Sequence, residues 1–368
     1  MNAKLCRTAT SLALLFTALA MAACGNSSLS SSSSTFVVQE NAALRSAGGR
    51  SSLPPTAGVN LYVADYGGNA GGSGDTVNVY ARGSKHIQRI ISLGLHEPEA
   101  LAFDSSRDLY VANFDGATVT VYAPGSTNIL ETVSQGLYAP IALAFDGSGN
   151  LYVVNDYTSY SNPKGSVPVY APGSTMVLRT ISRGIYQPVR EAFDASGNLY
   201  VANIGKPSVG NTVTVYAPGS ETVLRTISQG LNYPLALAFD GAGNLYVANT
   251  NGSTVTVYAP GSTQVLRTIS QGVSAPNALA FDSAGNLYVA NYNGNTVTVY
   301  APGNSSVLRT ITKGVSGPGA LVFDGSGNLY VANVKSNTVT VYAPGSTLVL
   351  RKIYQGPNSQ PVALAFGS

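Results

Sequence analysis

The chain has 368 residues, of which 10% are charged, 40 are glycine and 22 are tyrosine. The formal net charge is +3 and becomes about +1 without residues 1–23, because that segment holds two of the 20 basic residues and no acid. A nearly neutral chain lacks the electrostatic footprint of a nucleic-acid-binding protein, so no nucleic-acid partner is expected. The two cysteines, Cys6 and Cys24, lie near the N-terminus, which excludes a disulfide framework or a cysteine zinc site in the rest of the chain.

Residues 1–23 have the pattern of a secretory signal peptide. Two basic residues precede an almost wholly apolar run over residues 9–20, which is too short to span a bilayer. Residues 21–25 then read Met-Ala-Ala-Cys-Gly, which resembles a bacterial lipobox. The resemblance implies that Cys24 is lipidated and anchors an exported protein in the outer membrane or on the periplasmic face of the cell envelope. Ordinary cleavage after Ala22 is the alternative, and it would leave an exported chain without a lipid.

The next segment, residues 24–57, is rich in serine, glycine and proline and includes five consecutive serines at 30–34. Such a segment cannot bury enough apolar surface to fold alone, so we expect a flexible tether. The tether would connect the lipid anchor to a folded domain over residues 58–368.

Residues 58–368 consist of one motif that recurs seven times. Its clearest copy comprises Ala278–Asp282, Gly285–Asn291, Thr296–Gly303 and Val307–Thr312, and each piece has the apolar pattern of a short strand. We label these strands a, b, c and d. The Leu-Tyr-Val sequence of strand b recurs every 42 to 48 residues, starting at Leu61, Leu109, Leu151, Leu199, Leu245, Leu287 and Leu329. Four strands at this period predict the blades of an all-β propeller.

The two ends of the repeat region predict how the ring closes. The first copy lacks strand a, whereas residues 363–366 form a strand a that no other strand follows. The C-terminal strand is therefore expected to join the N-terminal blade. This gives a seven-bladed β-propeller of four-stranded antiparallel blades with no open edge in the ring.

Strand d is the outer strand of each predicted blade. It carries an arginine in six copies and Glu131 in the remaining one. We interpret these charges as a device that keeps the outer edge from pairing with another sheet, with a ring of anion sites as the functional alternative.

The repeat resembles the NHL class of β-propellers. Residues 280–291, Ala-Phe-Asp-Ser-Ala-Gly-Asn-Leu-Tyr-Val-Ala-Asn, match the signature of that class, and Val-x-Val-Tyr and Leu-Arg-Thr-Ile follow. The resemblance covers about residues 58–368 and implies the fold, while the architecture itself hosts unrelated activities. Propellers similar to it include streptogramin-type lyases, gluconolactonase-like hydrolases and pure binding modules.

The residues that these enzymes would need are incomplete in this chain. Resemblance to the gluconolactonase-like propellers implies a divalent metal held by Glu, Asn and Asp; Glu97 and Asn277 lie near matching places, but no Asp follows a strand-a proline. The lyases imply histidines, and His86 and His96 are the only two, expected on opposite faces of the disc. We therefore expect no catalytic residue, no metal and no cofactor.

Departures from the repeat concentrate on one predicted face of the disc. Eight tyrosines lie outside the repeat positions, in b–c loops, in d–a loops or at the end of strand d, and blade connectivity places those loops on one face. Variable loops on a rigid scaffold commonly carry binding sites, and tyrosine combines apolar area with a hydroxyl. The predicted ligand-binding tyrosines are Tyr66, Tyr157, Tyr160, Tyr186, Tyr233 and Tyr292.

Polar residues also interrupt strand a, which lines the predicted central channel. Glu99 and Asn277 each follow the strand-a proline, and Arg190-Glu191 replace the usual Ala-Leu. A charge pair at this place is costly to desolvate unless it is wet or partnered. Two interpretations remain open: a local salt bridge that plugs the channel, or a polar spot at the channel mouth that belongs to the binding site.

These observations favour a monomeric envelope lipoprotein that contacts the membrane through its lipid and binds a protein, peptide or glycan through the b–c/d–a face. A divergent lyase or lactonase is the first alternative, and a purely structural envelope scaffold is the second. The enzyme would use the polar residues around the channel, Glu97, Glu99, Arg190, Glu191 and Asn277.

Overall fold

A computed structural model of the chain describes residues 59–67, 74–156, 165–205 and 210–367. The predicted signal peptide, Cys24 and the predicted tether lie outside the described residues. Within these ranges the chain forms seven four-stranded antiparallel sheets, each of which is one blade of a β-propeller. The described ranges contain no helix that is long and apolar enough to cross a membrane.

The strands follow one another in chain order, four to a blade, from the inner strand a to the outer strand d. Blade 1 contains β28 (Ser359–Gly367), β1 (Asn60–Gly67), β2 (Thr76–Tyr80) and β3 (Ile87–Ile91). Blade 2 contains β4 (Pro98–Phe103), β5 (Leu109–Asn113), β6 (Thr118–Tyr122) and β7 (Ile129–Val133). Blade 3 contains β8 (Pro140–Phe145), β9 (Leu151–Asn155), β10 (Val167–Tyr170) and β11 (Val177–Ile181). Blade 4 contains β12 (Pro188–Phe193), β13 (Leu199–Asn203), β14 (Thr212–Tyr216) and β15 (Val223–Ile227).

The last three blades repeat this order with little variation. Blade 5 contains β16 (Pro234–Phe239), β17 (Leu245–Asn249), β18 (Thr254–Tyr258) and β19 (Val265–Ile269). Blade 6 contains β20 (Pro276–Phe281), β21 (Leu287–Asn291), β22 (Thr296–Tyr300) and β23 (Val307–Ile311). Blade 7 contains β24 (Pro318–Phe323), β25 (Leu329–Asn333), β26 (Thr338–Tyr342) and β27 (Val349–Tyr354), with a short 3-10 helix at Val334–Ser336.

The ring closes in blade 1, as the sequence predicts. The C-terminal strand β28 pairs antiparallel with the N-terminal strand β1, with Leu61 opposite Phe366 and Val63 opposite Leu364. Seven blades and this closure are both confirmed. Because one blade is built from both ends of the described chain, neither end leaves an unpaired sheet edge inside the ring.

The burial of each strand explains its sequence. Strands b and c are buried along almost their whole length, as in Leu245–Asn249, because neighbouring blades cover both faces of the sheet. A strand covered on both faces has no solvent-facing positions, which is why Leu-Tyr-Val-Ala-Asn is a continuous apolar run rather than an alternating one. Strand d alternates between half-buried and exposed residues, as in Val265–Ile269, because it lies at the rim of the disc.

Adjacent blades are joined by an aromatic contact that recurs in every blade. The tyrosine of strand b meets the phenylalanine of the next strand a in an edge-to-face arrangement with ring centroids 5.0 Å apart, as in Tyr200 and Phe239. The same contact joins Tyr62 to Phe103, Tyr110 to Phe145, Tyr152 to Phe193, Tyr246 to Phe281, Tyr288 to Phe323, and Tyr330 to Phe366. An edge-to-face pair contributes about 0.5–1.5 kcal/mol beyond its buried area, so seven of them hold the ring together.

The strand-d arginines have a role that the sequence did not indicate. Arg179 donates a hydrogen bond to the Tyr152 hydroxyl, and its guanidinium lies 5.5 Å from the centre of that ring. Arg89, Arg225, Arg267 and Arg309 do the same with the tyrosines of their own blades. The arginines therefore support the tyrosines that join the blades.

The two tight turns of the opposite face have the geometry that their sequences predict. In the c–d turn, Ser262 donates its backbone N–H to the Ala259 carbonyl, and Gly261 has a φ of 75°, which a type II turn requires at its third residue. In the a–b turn, the Asp240 carboxylate accepts the backbone N–H of Asn244 at 2.9 Å. These turns use their polar groups internally, which explains why this face varies so little.

Candidate ligand-binding site at the channel mouth

The loops of the opposite, variable face are fastened to one another by a repeated hydrogen bond. In six blades the residue before the strand-a proline has a left-handed conformation, and five of these six residues are not glycine. Their carbonyls accept an N–H from the residue after strand b, for example Phe114 to Glu97 at 2.9 Å and Thr250 to Tyr233 at 3.0 Å. Each such conformation costs about 1 kcal/mol or more in a non-glycine residue, so the loop position is held against strain.

The last residue of strand b fastens the same loops from below. Asn249 is fully buried, donates to the hydroxyls of Thr254 and Thr256, and accepts the backbone N–H of Asn232 in the d–a loop. Equivalent asparagines occupy blades 2, 4, 6 and 7 with the same pattern. The variable loops therefore rest on a rigid base, as a pre-organised binding surface requires.

A β-bulge at the start of strand a defines a ring of residues around the channel. In each blade the residue after the proline is left without a partner on strand b, as the register shift between Pro98 and Ala100 records. The seven bulge residues are all buried, and five of them are Ile141, Val189, Leu235, Gly319 and Val362. The other two are Glu99, 6% exposed, and Asn277, 7% exposed. The structure thus places these two predicted site residues at equivalent positions of one ring.

Arg190 and Glu191 occupy the next two positions of strand a, below this ring. They pair with Ala202 and Val201 of strand b, where other blades place Ala and Leu on strand a. Both are 3% exposed, and neither the guanidinium nitrogens of Arg190 nor the carboxylate oxygens of Glu191 have a hydrogen-bond partner in the protein. Burial therefore dominates their electrostatics. It lowers the pKa of Arg190 to about 10 and raises the pKa of Glu191 to about 8, while each charge partly stabilises the other.

Glu99 lies in the same electrostatic environment. Burial raises its pKa well above the usual value, and the negative charge of Glu97 raises it further, while the Arg190 charge acts in the opposite direction. Its Oε2 atom has no hydrogen-bond partner in the protein. Arg190 therefore interacts electrostatically with two buried carboxyls, Glu99 and Glu191. It forms a hydrogen bond to neither.

Above the ring, the loops of blades 1 and 2 bring further acids together. Glu97 hydrogen-bonds to the Tyr66 hydroxyl, and its backbone N–H donates to Asp75 at 2.9 Å. Its pKa is raised to about 7, first by burial and then by the negative charges of Asp115 and Asp75. The pKa of Tyr66 is raised for the same reasons, burial first and the charge of Glu97 second. We refer to Tyr66, Asp75, Glu97, Glu99 and Asp115 as the acidic mouth.

The predicted tyrosines have different environments in the structure. Tyr66, Tyr186 and Tyr233 are half-buried in the loops of the variable face. Tyr292 is only 5% exposed, and the Lys335 ammonium lies 4.5 Å from the centre of its ring, so it contributes little accessible surface to a ligand. Tyr157 and Tyr160 lie outside the described residues.

Sequence reasoning missed three acidic residues near Glu99. Asp75 and Asp156 lie in the long b–c loops of blades 1 and 3, and Asp115 of blade 2 stands where blades 5 and 6 have Asn251 and Asn293. Asp75 and Asp156 both raise the pKa of Glu99 through their charge, so they lie within its electrostatic range. The sequence did contain a signal, because successive b–c loops each carry an acid. These acids become neighbours only when the blades are arranged in a ring.

The residues present do not fit the divalent metal that the gluconolactonase-like resemblance implies. In the parts of the chain that the structure describes, no three His, Cys, Asp or Glu side chains are arranged to hold a metal ion. The Arg190 charge acts directly on Glu99, and a guanidinium beside a carboxylate opposes the approach of a dication.

The fold and the channel mouth define a seven-bladed β-propeller with a polar entrance. A family model described as SMP-30/gluconolactonase/LRE-like region matches residues 191–326, which is less than half of the chain. The chain is thus a propeller distantly similar to gluconolactonase-like proteins. A comparison with curated protein sequences finds no match. A chain in the crystal structure of a mitotic checkpoint complex is similar with a TM-score of 0.61 at 14% identity, covering 74% of this chain and 82% of that chain. At this identity the likeness shows the fold alone.

Proposed function

We propose that this protein is a binding protein that takes its ligand at the channel mouth, on the face formed by the b–c and d–a loops. The single observation that carries the proposal is the set of unpartnered buried charges in strand a. Six nitrogen and oxygen atoms of Glu99, Arg190 and Glu191 lack a hydrogen bond in the protein. A buried polar group without a partner costs about 1–3 kcal/mol and more when it is charged, whereas a bound ligand would satisfy it.

The other six blades support this proposal because they show what strand a looks like without the polar residues. Six blades place alanine and a leucine at the positions of Arg190 and Glu191 without any loss of strand geometry. An apolar strand a is therefore fully compatible with the fold. Buried polar residues that replace apolar ones without gaining a hydrogen-bond partner are the kind of departure that is expected at a binding site.

The test is a thermal-shift screen of the full purified chain against small polar molecules, short peptides and oligosaccharides. A ligand of this site should raise the melting temperature of the wild type and should lose most of that effect with Glu99→Gln. The matched control is Glu221→Gln, which makes the same charge change at an exposed position on the opposite face. Ligands whose effect is the same in all three proteins would contradict the proposal.

A lactonase-type hydrolase is the second candidate, because the family match includes Glu191 and Asn277. For this candidate, a divalent ion should raise the melting temperature of the wild-type chain and should not do so with Asn277→Ala. Lactone hydrolysis that depends on the same ion would then favour the enzyme over the binding protein. Absence of both effects would remove this candidate.

We further propose that the protein is held at the cell envelope by a lipid on Cys24. The support is the lipobox-like sequence at residues 21–25 and the serine-rich segment that follows. Labelled palmitate should be incorporated into the wild type and should not be incorporated after Cys24→Ser. Incorporation that persists in the variant would contradict the anchor.

A further inference from the structure

We infer that the acidic mouth is a binding site for an organic ammonium ion, held by the carboxylates of Glu97 and Glu99 beside the ring of Tyr66. This inference deepens the proposed function and rests on it. It names the chemical class of the ligand, which neither the fold nor the family resemblance determines.

This sector of the channel is rich in carboxyl groups. Five carboxyl groups of blades 1 to 3 act on one another here, and the three cations that the structure describes nearby lie outside the mouth. The acids are Asp75, Glu97, Glu99, Asp115 and Asp156. Of the described cations, His96 is exposed, and Lys335 of the adjacent blade 7 lies over the Tyr292 ring. Arg190 lies below the ring, where it faces Glu191 as well as Glu99. Among the described residues, carboxyl groups therefore outnumber cations at the mouth, and a bound cation would favour their ionised forms whereas an anion would not.

Glu99 contributes an unpartnered buried acceptor to this sector. Glu99 is 6% exposed, and its Oε2 atom accepts no hydrogen bond from the protein. Glu97 lies two residues before Glu99, and its charge acts on Glu99 more strongly than any other nearby charge does. A donor with a positive charge placed between them would satisfy Oε2 and relieve the repulsion.

The hydrogen bonds already present at the mouth favour an organic ammonium ion over a metal ion. Asp75 already accepts the N–H groups of Gly67 and Glu97 at 3.1 and 2.9 Å, and Glu97 binds the Tyr66 hydroxyl. These groups already accept hydrogen bonds, whereas Oε2 of Glu99 accepts none; one open acceptor suits an N–H donor better than a hard dication, which takes six or more oxygen ligands. The half-buried Tyr66 ring beside the carboxyls suits the alkyl groups and the diffuse charge of an amine.

The probe is n-butylammonium chloride, titrated into the full purified chain by calorimetry and ligand-observed NMR. Uncharged n-butanol and anionic n-butyrate serve as isosteric comparisons. We expect n-butylammonium to bind more tightly than either. We also expect proton release at neutral pH, measured in two buffers of different ionisation enthalpy, because a bound cation lowers the pKa of Glu97.

The variants locate the site. Glu99→Gln and Glu97→Gln should each weaken n-butylammonium binding about tenfold or more, as expected for losing a hydrogen bond to a charged group. Glu221→Gln should leave it unchanged. Arg190→Met should tighten n-butylammonium binding, because a like charge that acts on Glu99 is removed. Tyr66→Phe should retain more binding than Tyr66→Leu, because it keeps the ring. Circular dichroism establishes that each variant is folded.

Two results would overturn the inference. One is tighter binding of n-butyrate than of n-butylammonium, with loss of butyrate binding in Arg190→Met, because that identifies an anion site. The other is no binding of n-butylammonium, or binding that Glu99→Gln leaves unchanged. In either case the proposed function stands if a ligand from the thermal-shift screen still depends on Glu99. The proposed function is contradicted only if no ligand from the screen depends on Glu99 either.

Discussion

Position 65 shows how one residue can exchange roles with its partner and keep a structure intact. Six blades carry asparagine at the end of strand b, whereas blade 1 carries Asp65. The usual threonine of strand c is replaced in the same blade by Asn78, which donates to the Asp65 carboxylate at 2.7 Å. The donor and the acceptor have changed places, so the bond between strands b and c is kept. The exchange leaves a fully buried carboxyl whose pKa is raised to about 7 by burial.

Asp65→Asn should therefore stabilise the protein above neutral pH. A carboxyl with a higher pKa in the folded state binds more protons when folded, so its contribution to the free energy of unfolding falls as pH rises from about 4 to about 7. The variant should gain about 1–4 kcal/mol at pH 8 and no advantage near pH 4, at about 1.4 kcal/mol per pKa unit. Urea unfolding at the two pH values measures the difference.

The reverse change in a neighbouring blade is the control for this prediction. Asn113→Asp places a carboxyl beside Thr120, which lacks the amide that Asn78 provides. That variant should be less stable than the wild type at pH 8. A destabilised Asp65→Asn at pH 8 would mean that the carboxylate is preferred at this position.

At the scale of the element, the closing strand β28 holds the ring closed by pairing with β1. Its residues Val362–Ala365 are buried, and the strand pairs with β1 along eight positions. Deletion of residues 361–368 should abolish cooperative unfolding or lower the melting temperature strongly, because β1 and the neighbouring blades lose their cover. Deletion of eight residues from the predicted tether, residues 27–34, is the control and should change the melting temperature little. A closing-strand deletion that melts like the wild type would contradict the closure.

The elements also show what could be predicted from sequence and why. Strand positions, blade number, both turn types and the closure followed from a repeat in which each local pattern has one structural solution. The chain of contacts from Arg225 through Tyr200 to Phe239 could not be predicted, because it joins residues of two blades. The polar interruptions at Glu99, Arg190 and Asn277 were visible as departures from the repeat. Asp75 was not, since its loop has no counterpart in the repeat, and Asp115 differs from Asn251 and Asn293 of the matching loops only in its charge.

At the scale of the whole molecule, buried carboxyls predict an acid-favouring stability profile. The pKa values of Asp65 and Glu97 are raised to about 7, that of Glu191 is raised to about 8, and that of Glu99 is also raised, in each case first by burial. All four carboxyls bind more protons in the folded state than in the unfolded state, so the free energy of unfolding should decrease as pH rises from about 4 to about 8. The melting temperature should be higher at pH 5 than at pH 8 in buffers of equal ionic strength. A melting temperature that rises over this interval would show that these carboxyls are paired and ionised in the folded protein.

The central claim is that the polar channel mouth exists for a ligand rather than for the stability of the propeller. The most direct test is the variant Glu99→Val/Arg190→Ala/Glu191→Leu, which restores at each position a residue type that other blades carry there. Replacement of buried charges by well-packed apolar residues is often neutral or stabilising by about 1–4 kcal/mol. We predict that this variant unfolds at an equal or higher urea concentration than the wild type and no longer binds n-butylammonium. A variant that is clearly less stable would identify Arg190 and its partners as a structural plug of the channel, and a variant that binds as the wild type does would remove the site.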